Sequence, residues 1–144
     1  MEDMEISNKD LKNGSGTIPK YRAIYLDSVK KDKYDIIKTN NLFDELINNF
    51  SSYRDANITL SLKDKKVLRD YQLLGVKWLY NIYKCGFGGI LADEMGLGKS
   101  IQLIYLIKQI LLEKKDAKIL IVAPTSLIYN WKNEFDKFAS DISY

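Results

Sequence analysis

The chain has 144 residues, 46% of them hydrophobic, which suits one globular core and leaves no apolar run long enough to cross a bilayer. A net charge of +3 is too slight to mark a dedicated polynucleotide binder, the single cysteine, Cys85, excludes an internal disulfide, and the lack of histidine excludes an ordinary zinc site. The first ten residues are acidic and carry no basic, apolar, cleavable pattern, so no secretory leader is expected and the cytoplasm is the expected compartment.

Residues 1–20 are polar and include Asn13-Gly14-Ser15-Gly16, a composition that favours turns, so they are expected to form a flexible arm. A helical lead-in region is expected over 21–66. There Tyr21, Ile24, Tyr25 and Val29 recur near helical spacing, followed by Leu42, Phe43, Leu46, Ile47 and Phe50. Such stripes are read as packing faces and not as a regulatory appendage. Asn57-Ile58-Thr59-Leu60-Ser61-Leu62 alternates polar and apolar residues, as a short edge strand or an extended connector would.

The third region, 67–144, has a different rhythm. A helix is expected from Arg69 to Lys84, with Tyr71, Leu74, Trp78, Leu79 and Ile82 on its apolar side and Gly86 as its left-handed end. Gly89-Ile90-Leu91-Ala92 then reads as a short apolar strand. Ile101, Ile104, Leu106, Ile107, Ile110 and Leu111 sustain a helix to about Glu113, and Ile119-Leu120-Ile121-Val122-Ala123 is apolar on successive residues, as in a buried parallel strand. Pro124-Thr125-Ser126 breaks that strand and caps a helix whose Leu127, Ile128, Trp131, Phe135 and Phe138 share a face. Strand, loop, helix, strand, loop, helix predicts an α/β fold, with a parallel sheet flanked by helices and ligands at the carboxyl ends of the strands.

The chemistry concentrates between the first strand and its helix. In Asp93-Glu94-Met95-Gly96-Leu97-Gly98-Lys99-Ser100, two glycines let the backbone wrap around phosphate oxygens, Lys99 brings a point charge, and Ser100 brings a hydroxyl for magnesium. The helix start adds its positive dipole end. A strict phosphate loop has glycine where Asp93 stands, so only the second half of the pattern is matched.

With its flanks the loop becomes specific. Gly88-Gly89-Ile90-Leu91-Ala92 leading into Asp93–Ser100 resembles motif I of the Swi/Snf-type ATPases of helicase superfamily two, which also carry Asp at the first position. Upstream, Leu68-Arg69-Asp70-Tyr71-Gln72 resembles the adenine-reading Q-type motif, and the carboxamide of Gln72 can donate and accept together. Downstream, Pro124-Thr125-Ser126 resembles motif Ia, which holds a nucleic-acid backbone, although ordinary N-capping by Thr125 or Ser126 explains the same residues equally well. Ile18 to Asp27 is loosely similar to a segment preceding the motor in bacterial members.

The resemblance implies the amino-terminal part of a RecA-like lobe that binds ATP and magnesium, within a two-lobed motor that couples hydrolysis to translocation along double-stranded DNA. Nothing after Phe138 fits the acidic motif II, and Asp93 and Glu94 are not its substitutes. The expectation is therefore a piece that binds nucleotide, that is inactive in hydrolysis without motif II and the second lobe, and that hides unpaired strand edges by self-association. Two other readings stay open: a different phosphate-loop enzyme such as a small-molecule kinase, and a non-hydrolysing nucleotide or nucleic-acid binding module.

Overall fold

The computed structural model describes residues 14–33 and 37–143, in two compact units, Met1–Ser51 and Ser52–Tyr144. The arm expected over 1–20 lies, up to residue 13, outside the described residues.

In the first unit, a 3-10 turn at Lys20–Arg22 follows Pro19 and runs into helix α1 (Ala23–Lys33), and helix α2 covers Asn41–Ser51. Asn40 caps α2, its Oδ1 accepting from the Phe43 N–H at 2.9 Å. Lys30 Nζ donates to Thr39 Oγ1 at 3.1 Å and the Thr39 hydroxyl donates to Asp44 Oδ1 at 2.8 Å, which ties α1 to the start of α2. The buried face of α1 differs from the expected stripe. Ala23 and Leu26 are buried, while Tyr21 and Tyr25 are more than half exposed. Both tyrosines keep a polar tip in water, so apolar periodicity alone misassigned the face.

The second unit is built from helices α3 (Leu62–Val67), α4 (Asp70–Lys84), α5 (Lys99–Glu113) and α6 (Ile128–Phe138), with 3-10 turns at Tyr53–Asp55 and Thr125–Leu127. Helix α5 is central because it is apolar nearly all round. One side packs Ile101 and Tyr105 against Val76 and Tyr80 of α4 and against Ile58, Leu60 and Leu68. Another packs Ile104 and Ile107 against Phe135 of α6 and Ala139. Trp131 stacks at a tilt on Phe135, 6.3 Å between ring centroids, so it belongs to this core. The end of α4 is a Schellman motif: Phe87 N–H bonds Ile82 O and Gly86 N–H bonds Tyr83 O, with Gly86 at φ 73°.

The expected parallel sheet of an α/β, RecA-like lobe is not observed: no residue among those described is in a strand. The segments 87–94 and 117–124 run without regular secondary structure: a strand needs at least one neighbouring strand to pair its backbone groups, and the described residues offer neither segment one. The burial of the second segment corrects its reading further. Leu120 and Val122 are 86% exposed, Ile119 and Ile121 are about half as exposed, and all but Leu120 of residues 119–123 border an apolar groove of about 610 Å³ with Ile107, Trp131 and Phe135. The segment borders α5 and α6 through this groove without being buried by them.

The connector 56–61 shows how the chain manages without a ladder. Its alternation is real, with Ile58 and Leu60 buried, but its partner is a side chain. Gln109 of α5, fully buried, accepts from Thr59 N–H at 2.7 Å through Oε1 and donates to Thr59 Oγ1 at 3.0 Å through Nε2. The carboxamide supplies an acceptor and a donor, as a neighbouring strand would.

Candidate functional site

Residues 93–98 bridge the irregular segment 87–92 and the amino end of α5. Gly96 and Gly98 have φ of 88° and 78°, a conformation that costs an L side chain roughly 1–2 kcal/mol. Gly98 is doubly required, since a Cβ there would lie 2.5 Å from Gln72 Nε2 and 2.9 Å from Ile101 Cγ2. It is also the N-cap of α5, whose first helical bond runs from Gln102 N–H to Gly98 O at 3.2 Å. The amides of Lys99, Ser100 and Ile101 therefore precede the helical ladder and carry its positive dipole end.

The ammonium of Lys99 turns back over the loop and donates to the carbonyl oxygens of Asp93 and Glu94, each at 2.8 Å. Two carbonyls thus hold the cation where its helix start offers an anion site. Ser100 is half-buried at the second helical position, Glu94 and Met95 are exposed, and Leu97 is partly exposed with its carbonyl turned toward α4.

Two glutamines and a tyrosine fix this loop from the helices. Gln72, buried at the third position of α4, accepts from the Arg69 N–H at 3.0 Å, the backward half of a capping box, and donates to Leu97 O at 3.1 Å. Tyr71 donates its hydroxyl to the same Leu97 O at 3.2 Å. Gln102, 1% exposed on α5, donates through Nε2 to Asp93 Oδ2 at 2.8 Å. Its Oε1 fills the notch left by Gly75 of α4, where a Cβ would come within 1.9 Å of it.

Pro124, Thr125 and Ser126 lie together, all exposed, at the start of the 3-10 turn that leads into α6, with Pro124 as the residue before it. Neither Pro124, which precedes the turn, nor Leu127, which precedes α6, contributes a side-chain cap. They sit on a different helix start from residues 93–100. Gln72 and the loop, by contrast, are brought into direct contact.

At the far end of α5 the charges are spent on one another. Burial alone would raise the Asp64 carboxyl, but bonds from the Ser61 hydroxyl (2.6 Å) and Lys108 (2.9 Å) bring it below its ordinary value. Burial likewise works against the Lys108 ammonium and Asp64 outweighs it, so Lys108 is raised. Glu113 accepts from the Tyr80 hydroxyl, which lowers its carboxyl, and also from Gln109 and Lys84.

Tyr71, Gly75 and Gln102 were not legible as site residues. Tyr71 was placed on the apolar side of its helix and inside the Q-type stretch, without a role of its own. Gln102 did leave a signal: a carboxamide on a helix whose neighbours are nearly all apolar must have a buried partner.

Residues 71–144 match the SNF2-related domain, and residues 1–60 match the bacterial SNF2 helicase-associated family. A protein named as an uncharacterized ATP-dependent helicase of Mycoplasma pneumoniae is 42% identical over 92% of this chain and 14% of its own length. Helicase SWR1 of Candida albicans is 39% identical over 96% of this chain and 8% of its own. A probable ATP-dependent DNA helicase of Arabidopsis thaliana, CHR23, is 53% identical over 53% of this chain and 7% of its own. The chain thus spans a small part of these relatives, and no solved structure matches it. The motifs around Lys99, the associated segment before them and the matched domain agree: the chain belongs to the SNF2-related family, the Swi/Snf-type ATPases of helicase superfamily two.

Proposed function

We propose that the chain is the ATP-gripping part of a DNA-dependent Swi/Snf-type motor, binding ATP with magnesium through residues 93–100. The observation that carries this is Lys99: its ammonium rests on two loop carbonyls, beside three helix-start amides and two left-handed glycines. That donor set fits a triphosphate, because the lysine can exchange carbonyl oxygens for phosphate oxygens beside helix-start amides that precede the helical ladder. Lys99 and the amides from Gly96 to Ser100 hold the phosphates, and the Ser100 hydroxyl holds the magnesium. The metal neutralises phosphate charge that the chain's single lysine there cannot balance alone. For Gln72 to read adenine, its bonds to Leu97 O and Arg69 N–H must first be exchanged.

Turnover needs more than this loop supplies. Of its two carboxylates, Asp93 is engaged by Gln102 and Glu94 is exposed, so neither is set to orient a water, and the much longer relatives favour further segments supplying that part. The turn at 124–126 is the proposed contact for a double-stranded DNA backbone: exposed hydroxyls and a helix start hold phosphate without reading sequence.

Calorimetric titration of the chain with magnesium and ATP tests the reading. Saturable binding by the wild type, weakened at least tenfold in Lys99→Ala, is expected, and equal binding by both would refute it. A duplex-DNA arm is expected to bind more weakly, and equally so across sequences, when Thr125 and Ser126 are both alanine.

A further inference from the structure

The tightest polar contact of the loop that engages neither Lys99 nor Gln72 is made by a side chain with no assigned role. Gln102 is one turn into α5, 1% exposed, and sends its one hydrogen-bonded amide nitrogen to Asp93 Oδ2 at 2.8 Å. Its rotamer has little freedom, because Oε1 sits in the notch that Gly75 leaves on α4. A buried group clamped on one side and bonded on the other is a fixed point. The residue it fixes is the one whose carbonyl oxygen receives Lys99 Nζ at 2.8 Å, so Asp93 is held through its side chain by α5 and through its backbone by Lys99. The far side of the loop is held through Leu97 O by Gln72 and Tyr71.

We propose that Gln102 is a positioning residue for the phosphate loop, setting through the Asp93 carboxylate where the loop backbone, and with it the Lys99 ammonium, stands. A neutral carboxamide suits this task. It donates to Asp93 without adding a second cation that would compete with Lys99 for an arriving anion, and without adding a carboxylate that would repel one. Gly75 is part of the same device, since any side chain there displaces Oε1. The consequence for nucleotide binding rests on the reading given under Proposed function, whereas the positioning of the loop does not.

The two are separated by measuring hydrogen exchange of the loop without nucleotide, and magnesium-ATP affinity by titration, on the full chain. In Gln102→Glu two carboxylates meet at hydrogen-bond distance. Exchange across residues 93–98 should rise and affinity should fall about tenfold or more, the scale of a lost bond to a charged group. Asp93→Asn combined with Gln102→Glu reverses donor and acceptor across the same gap, and should restore exchange and most of the affinity. A structural defect alone would leave this double variant worse than either single one. Gln102→Met keeps length and apolar packing, and serves where the glutamate variant is unfolded by circular dichroism; it should raise loop exchange with the helix content unchanged. Wild-type loop exchange in folded Gln102→Met, or no rescue in the double variant, overturns the proposal. If the wild type binds no ATP while the variants still change loop exchange, positioning stands and the nucleotide reading fails.

Discussion

The two ends of helix α5 carry similar numbers of polar side chains and use them in opposite ways. At the amino end, neutral carboxamides from Gln72 and Gln102 hold the loop, and Lys99 is left on carbonyl oxygens that another anion can replace. At the carboxyl end, Lys108 meets Asp64 and Asp141, and Glu113 meets Tyr80, Gln109 and Lys84. Charge is consumed where only structure is needed and kept exchangeable where a ligand is expected. Polar contacts of equal geometry therefore do not have equal purpose: a cation on a carboxylate is neutralised, whereas one on carbonyls still lacks a counter-charge.

The strongest way to break this contrast is at Gly98. Gly98→Ala places a Cβ on a backbone with φ of 78° and 2.5 Å from Gln72 Nε2, so the amino end must open. The expected loss is about 1–3 kcal/mol of unfolding free energy in urea melts, together with loss of magnesium-ATP binding. Retained binding would show that the loop geometry is not required.

A smaller effect separates the ends by pH. The folded-state pKa of Asp64 lies below its ordinary 3.8, so the stability it contributes is fully present above that value and is lost as pH falls through the lowered one. Asp64→Asn should cost about 1 kcal/mol at neutral pH and progressively less as pH falls below the lowered value, read from urea midpoints across that range. A cost that does not change with pH would mean that the pair is not what fastens α3 to α5.

The smallest effect is expected at Lys84, whose side chain is 55% exposed and 3.4 Å from Glu113. Lys84→Met should change the thermal midpoint little, within roughly 0.5 kcal/mol, as exposed pairs do. A larger loss would mean that the carboxyl-end network acts as one unit instead of through its buried Tyr80 and Gln109.

What was legible in the sequence follows from the range of the forces involved. Helices α4, α5 and α6 could be read because their ends are local, as at the left-handed Gly86 and the loop glycines before Lys99, but the face of α4 was only half read: Leu79 and Ile82 are buried, whereas Tyr71 and Leu74 are exposed and Val76 and Tyr80 carry the core. The parallel sheet was misread because apolar runs at 89–92 and 119–123 report only a wish for burial, and ladder partners are set by residues far away. The direct neighbours of the loop were half legible. Gln72 was marked by its motif, whereas the roles of Tyr71, Gly75 and Gln102 appear only when α4 and α5 are packed together.

The bond between Thr59 and Gln109 joins positions fifty residues apart. Closing a flexible loop of that length costs roughly 3.5 kcal/mol in chain entropy, several times the ~1 kcal/mol of one hydrogen bond. Ile58 and Leu60, buried on either side of Thr59, offset that cost at about 1.5–3 kcal/mol each. The connector therefore docks by its two apolar side chains, most cheaply once α4 and α5 have paired and shortened the open chain between them. The glutamine then decides register and not affinity, selecting which residue of the connector faces α5.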